Sequence, residues 1–233
     1  MKINDQVINE LKRFSSPAKA QILQRFFKTG KGEYGEGDVF LGVAMPDIRK
    51  TVKKYWQETK LEEAKKLLPA KYHEIRSCAL LILVERYKKI ESERGRIYRV
   101  YITNTKYINN WDLVDLTAGH IVGAYLEDKP KDLLYMFARS KDLWQRRIAI
   151  LATFYYIYKG EAKETIKIAK MLLRDKHDLI HKAVGWMLRE VGKRCGEKIL
   201  TDFLDQQAKI MPRTMLRYAI EKLDRKKQLF YLK

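Results

Sequence analysis

Apolar residues recur along this chain at intervals of three and four, the spacing of a helix that buries one face. Ile22, Leu23, Phe26 and Phe27 form one such stripe, and Leu61, Ala64, Leu67 and Leu68 another. Over residues 72–87 the positions Ile75, Ala79, Leu80, Ile82, Leu83 and Val84 crowd closely enough to predict a helix enclosed by neighbours. Only residues 97–102 hint at a period of two, and that run is short and ambiguous. Pro17, Pro46, Pro69, Pro130 and Pro212 each suit a helix start or an interhelical turn. With 12 Gly and 5 Pro, the chain has too little punctuation for a sandwich or barrel that turns every ten residues. The expected class is all-α.

A longer period overlies the helical one. Arg76-Ser77-Cys78-Ala79, Arg147-Ile148-Ala149, Lys182-Ala183-Val184 and Arg217-Tyr218-Ala219 share a pattern, with 71 residues from Arg76 to Arg147 and 35 for each later step. The first interval holds two repeats, and Asp115-Leu116-Thr117-Ala118 is the best match for the hidden slot. Two antiparallel helices per repeat, as in HEAT-like arrays, would stack into a right-handed superhelical solenoid. Residues 1–233 are then expected to form a single repeat domain with a concave basic face. On that face would lie Arg76, Asp115, Arg147, Lys182 and Arg217, with Trp111, Trp144 and Trp186 within one helical turn of the slot residues. Two readings fit this row. The cations could meet phosphates while the indoles stack on bases or sugars, or the charges could tie repeats together while each Trp fills the core.

Charge bears on that choice. The 233 residues carry 48 Lys and Arg against 29 Asp and Glu, a formal charge of +19. A field of that sign attracts polyanions, of which nucleic acid is the commonest large one. Hydrophobic residues make up 46% and charged residues 33%, as in a folded soluble protein. The longest unbroken apolar run, residues 78–84, is far short of the ~20 that a bilayer requires. The polar start and the two Cys, Cys78 and Cys195, which form no CxxC pair, lead us to expect no secretory signal, no disulfide scaffold and a cytoplasmic location.

Candidate chemistry is sparse. His73, His120, His177 and His181 make no HExxH motif, and His177 with His181 lacks a third ligand, so no metal and no cofactor is expected. The glycines of residues 30–38 follow no strand and are interleaved with Glu33, Glu36 and Asp38, which would repel phosphate; a structured interhelical loop is expected there. That leaves Asn109-Asn110-Trp111-Asp112-Leu113-Val114-Asp115. Asn109 or Asn110 can cap the following helix, whereas Asp115 falls more than a turn inside it, where Asp is a poor helix former. A carboxylate held there could stabilise positive charge developing on a sugar or position a water for attack.

The segments NNWDLVD, LWQRRIAIL and HKAVGWMLRE, together with EYGEGDVFLGVAMPDIRK over residues 33–50, resemble the bacterial DNA alkylation repair family, the AlkD-type DNA glycosylases. The resemblance spans roughly residues 20–220. It implies a HEAT-like solenoid that hydrolyses the N-glycosidic bond of cationic N3- or N7-alkylated purines, such as 3-methyladenine and 7-methylguanine, in duplex DNA without flipping the base. By motif, Trp111, Asp115, Arg147 and Trp186 match the family's catalytic cleft: the two Trp contact the backbone and sugar, the Arg holds a phosphate, and the Asp assists departure of the base. Arg76, Lys182, Arg217 and Trp144 are expected to support DNA binding. A monomer is expected, with no membrane and no obligate protein partner. Ala44 departs from the pattern, since some relatives carry Gln near that position. The alternative is a non-catalytic HEAT-like protein that binds damaged or distorted DNA; a scaffold for an acidic protein is a weaker third reading.

Overall fold

Helices form where the apolar stripes fall. A computed structural model describes all 233 residues. Its only strand-like feature is one parallel bridge between Val39 and Tyr72. Residues 97–102, ambiguous by pattern, lie inside a helix that buries Ile97, Val100 and Tyr101. The prolines punctuate as expected: Pro17 and Pro46 sit in first turns, and Pro212 precedes a helix. The chain forms two compact units, Met1–Thr117 and Ala118–Lys233.

The first unit contains α1 (Ile3–Arg13), α2 (Pro17–Phe26), α3 (Met45–Tyr55), α4 (Leu61–Leu67), α5 (His73–Lys89), α6 (Arg94–Thr103) and α7 (Trp111–Asp115). Helix α5 is its centre, contacted by α1, α3, α4 and α6. It is buried on every side, as a helix with apolar residues all round must be. Helix α2 behaves differently and buries none of its residues. Ile22 and Phe26 of the first stripe are 65% and 60% exposed, while Phe27, one position past the helix, is buried. The chain beside α2 is fixed through Ser16, whose N–H donates to Leu41 O at 2.9 Å. Gly42, at φ +80°, lies so close to Ser16 O and Ala20 N that no side chain fits there.

The second unit opens with a π-helical turn (Gly119–Gly123) and continues through α8 (Asp132–Ala138), α9 (Leu143–Ala152), α10 (Phe154–Tyr158), α11 (Lys163–Leu172), α12 (Asp178–Arg194), α13 (Glu197–Gln207), α14 (Arg213–Ile220) and α15 (Arg225–Leu232). Helix α12 is the hub, packed by α9, α10, α11, α13 and α14. Gly185 permits its close approach to α14: a Cβ there would lie 2.5 Å from both Met215 O and Tyr218 Cβ.

Side-chain bonding corrects the register of the repeat. Arg76, Arg146 and His181 are each the fourth residue of a helix, α5, α9 and α12. Each reaches back to the carbonyl six residues upstream: Arg76 Nη1 to Ala70 O at 3.0 Å, Arg146 Nη1 to Ser140 O at 3.0 Å, and His181 Nε2 to Asp175 O at 2.5 Å. The two arginines also bind a carboxylate, Asp38 for Arg76 at 2.7 Å and Asp175 for Arg146 at 2.6 Å. This position fastens the loop before each helix. Arg76 therefore aligns with Arg146 and not with Arg147, which is fifth in its helix, as are Lys182 and Arg217 in theirs.

Candidate functional site

The NNWDLVD segment folds into the short helix α7. Asn110, in extended conformation, is the cap, and its Oδ1 accepts the Trp111 N–H at 2.9 Å. Asn109 turns the other way, donating Nδ2 to Asp38 at 2.9 Å. Leu113 and Val114 anchor the helix in the core, leaving Trp111 and Asp115 partly exposed one turn apart. The indole of Trp111 stacks on Phe27 at 5.2 Å and 21°, and meets Phe26 edge-on at 5.9 Å. An aromatic platform thus sits beside a carboxylate. Burial pushes the Tyr101 phenol well above its ordinary pKa, and the nearby charge of Asp115 adds to the shift.

Beneath α7 lies a buried ionic cluster that sequence reasoning missed. Asp38 closes the glycine-bearing loop, whose other two carboxylates accept loop N–H groups, Glu33 from Gly30 and Glu36 from Gly32, each at 2.8 Å. Asp38 takes Arg76 at 2.7 Å and Asn109 at 2.9 Å, and lies 3.2 Å from His73 Nδ1. His73 Nε2 lies 2.8 Å from Asp112 Oδ2. Burial alone would lower the His73 pKa, but the Asp112 carboxylate and the bonds to Asp112 and Asp38 outweigh it and raise the value to about 9. Burial likewise opposes ionisation of Asp38, yet His73, Arg76 and Asn109 hold its pKa below the usual range. Glu74 points the other way and clamps a loop, accepting the N–H groups of Leu41, Gly42 and Val43 at 2.9, 2.8 and 3.1 Å. A visible signal existed: His73, Glu74 and Arg76 all stand at the start of the most apolar run in the chain, and charge there needs buried partners.

These bonds remove Arg76 from the DNA-contacting row. It is 5% exposed, and its guanidinium is held by Asp38, Ala70 O and Lys71 O. Trp144 also departs from expectation. At 8% exposure it fills the core, and Asp142 caps its helix by accepting from the N–H groups of Trp144 and Gln145.

In the second unit, Arg147 is 4% exposed, and its Nη1 donates to Leu179 O at the start of α12, 2.5 Å away. Trp186 remains partly exposed, its ring 5.6 Å from Phe154. Arg194, two turns further along α12, lies 6.0 Å above Phe154 and 4.1 Å above Tyr158. Lys182 is half exposed and ion-paired with Asp178 at 2.7 Å, and Arg217 is exposed on α14.

The chain is strongly basic and all-helical, and the matched motifs place partly exposed Trp111 and Trp186 on α7 and α12, with the Asp115 carboxylate one turn from Trp111. The family model for DNA alkylation repair enzymes matches residues 7–223, and the chain belongs to that family. No curated protein matches it in sequence. Among solved structures it is similar to a protein of Enterococcus faecalis described as a predicted DNA alkylation repair enzyme, with a TM-score of 0.70 and 16% identity over 91% of this chain and 97% of that one. That likeness shows a shared fold.

Proposed function

We propose that this member of the family is a monofunctional DNA glycosylase that removes cationic N3- or N7-alkylated purines, 3-methyladenine and 7-methylguanine among them, from duplex DNA. The observation that carries the reading is the pairing of Trp111, on its Phe26–Phe27 platform, with a partly exposed Asp115 one turn later on α7. Alkylation makes the purine a good leaving group, so the protein need not protonate it. The C1′–N bond breaks with its electron pair passing to the purine, which leaves neutral. Positive charge then develops on the sugar, and Asp115 stabilises it. Water adds at C1′ and passes its proton to the Asp115 carboxylate, which returns it to solvent. The π face of Trp111 favours the same charge, and the resemblance to the family assigns Trp186 to contact with the DNA backbone and sugar.

Arg147 enters in a modified role. Buried and held on Leu179 O, it supplies a fixed guanidinium to the field at the phosphates. Lys182 and Arg217, with more exposure, make the salt-sensitive phosphate contacts. The concave basic surface belongs to the same proposal, as do action without base flipping, a monomeric state and the lack of any metal or cofactor requirement.

The test is release of free base from methylated duplex DNA by wild type and Asp115→Asn at matched DNA occupancy. Wild type is expected to release 7-methylguanine or 3-methyladenine. The variant should be slower by about 100- to 1,000-fold, or roughly 3–4 kcal/mol of transition-state stabilisation, while binding DNA equally well. Normal excision by Asp115→Asn would refute the mechanism. Tight binding without release by either protein would establish the non-catalytic alternative.

A further inference from the structure

Asp115, Arg147, Lys182 and Arg217 are each the fifth residue of their helices, α7, α9, α12 and α14. The same position in the earlier helices of the first unit falls on Arg49 in α3 and Ser77 in α5. Ser77 is buried, whereas Arg49 is exposed and extends the row by one cation that the sequence pattern did not include.

Arg49 stands in a shaped setting. With Val52, Lys53 and Trp56 it occupies positions i, i+3, i+4 and i+7, one stripe along α3. Across from that stripe α5 presents Leu81 and Glu85, one turn apart, and the two helices enclose a groove of about 340 Å³. Val52 and Leu81 are buried and make an apolar floor, Arg49 and Lys53 are exposed, and Trp56 is half-buried. The backbone that carries the indole is fixed from behind. Trp56 N–H donates to Val52 O at 2.9 Å, and Trp56 O accepts Nη1 of buried Arg86 at 3.2 Å. Arg86 is itself held by Glu93, at 2.8 Å from Nε and 2.6 Å from Nη2.

Charge and shape narrow the ligand. Neither Arg49 nor Lys53 has a hydrogen-bond or ion-pair partner within the chain, whereas neighbouring Lys54 is paired with Glu10 at 3.2 Å. Glu85, the one carboxylate of the lining, is taken up by Lys88 at 3.7 Å. The groove is therefore net positive, with two unpaired cations about one turn, or ~5.4 Å, apart. An isolated phosphate would leave the Val52–Leu81 floor and the indole uncovered. A nucleic-acid backbone supplies consecutive anions with an apolar sugar face between them.

We propose that this groove holds the sugar–phosphate backbone of duplex DNA, with Arg49 and Lys53 on successive phosphates of one strand and Trp56 against the sugar between them. The site deepens the proposed function and rests on duplex DNA as its substrate, but not on Asp115 or on base excision.

The experiment uses the full chain and measures binding of unmodified duplex DNA by fluorescence anisotropy across a salt series, beside base release from methylated duplex. Arg49→Gln with Lys53→Gln should weaken binding about tenfold or more at ~0.1 M salt and make the slope of log affinity against log salt shallower by about 2. Lys60→Gln with Lys65→Gln removes the same charge from exposed positions at α4, outside the groove, and should change affinity less than about threefold. Trp56→Ala should cost about fivefold and Trp56→Phe should restore most of it, with circular dichroism checking that both fold. Equal losses in the two double variants would reveal a diffuse field in place of a contact and overturn the proposal. So would undiminished affinity in Arg49→Gln with Lys53→Gln, or in Trp56→Ala. A wild type that binds no duplex removes this site and the proposed function together. Base release by wild type with equal losses in both pairs overturns the groove alone. Selective loss in the groove pair, with no base release by wild type, upholds the groove and refutes the glycosylase.

Discussion

Raising the pH should unfasten the cluster beneath α7, and the effect can be sized from the structure. His73 is 2% exposed between Asp38 and Asp112, and its pKa is raised from 6.5 to about 9. Between those values the folded chain holds a proton on His73 that the unfolded chain has lost. Stability then falls by about 1.4 kcal/mol per pH unit. The contribution is fully present below pH 6.5 and gone above about 9, which amounts to about 3 kcal/mol at most. Urea unfolding of wild type and His73→Gln at half-unit steps from pH 6 to 9.5 isolates the term. Glutamine can still donate to one carboxylate but does not titrate, so the variant should be less stable at pH 6 and the gap should close as pH rises. An imidazole NMR titration reports the same group directly. A folded-state midpoint below 7, or a gap that stays constant with pH, would show that His73 is neutral in the fold and that the cluster is held by other means.

Further outcomes follow from the same contacts. Arg76→Met should lower stability by about 3–5 kcal/mol in urea unfolding, because it leaves buried Asp38 and two carbonyls short of a partner, yet DNA affinity per folded molecule should be unchanged. Lys182→Ala combined with Arg217→Ala should do the reverse: little change in stability, and a slope of log affinity against log salt for duplex DNA shallower by about 2. Gly185→Ala should cost about 1–3 kcal/mol in thermal unfolding, since its Cβ would meet Met215 O at 2.5 Å and α14 would have to shift.

The helical class and most helix positions were legible because burial enforces periodicity, and the enclosed character of α5 showed in its unbroken apolar run. Residues 97–102 were ambiguous because six residues cannot separate two periods, and their neighbours decided for helix. The repeat was seen one residue out of register at Arg76. Similar residue types fall at adjacent positions, Arg146 beside Arg147 and His181 beside Lys182, and only their partners tell them apart. Composition likewise cannot distinguish a surface Trp from a core one, so Trp144 and Trp186 read alike and fold differently. Of the candidate site, α7 and its cap were readable from seven residues. The cluster under it was not, because it joins residues 38, 73, 76, 109 and 112, and long-range pairing leaves no spacing to find.

The buried cluster also shapes how the molecule looks from a distance. Asp38, Glu74 and Asp112 are counted in the formal charge of +19, yet they are shut inside the first unit with only His73 and Arg76 for company. Arg86, Arg147 and Glu190 are buried as well, so the solvent-facing excess of lysine and arginine stays close to the formal total. The carboxylates of the cluster are neutralised at short range by its own His73 and Arg76, so they draw in no surface lysine or arginine, and those cations stay available to an approaching polyanion.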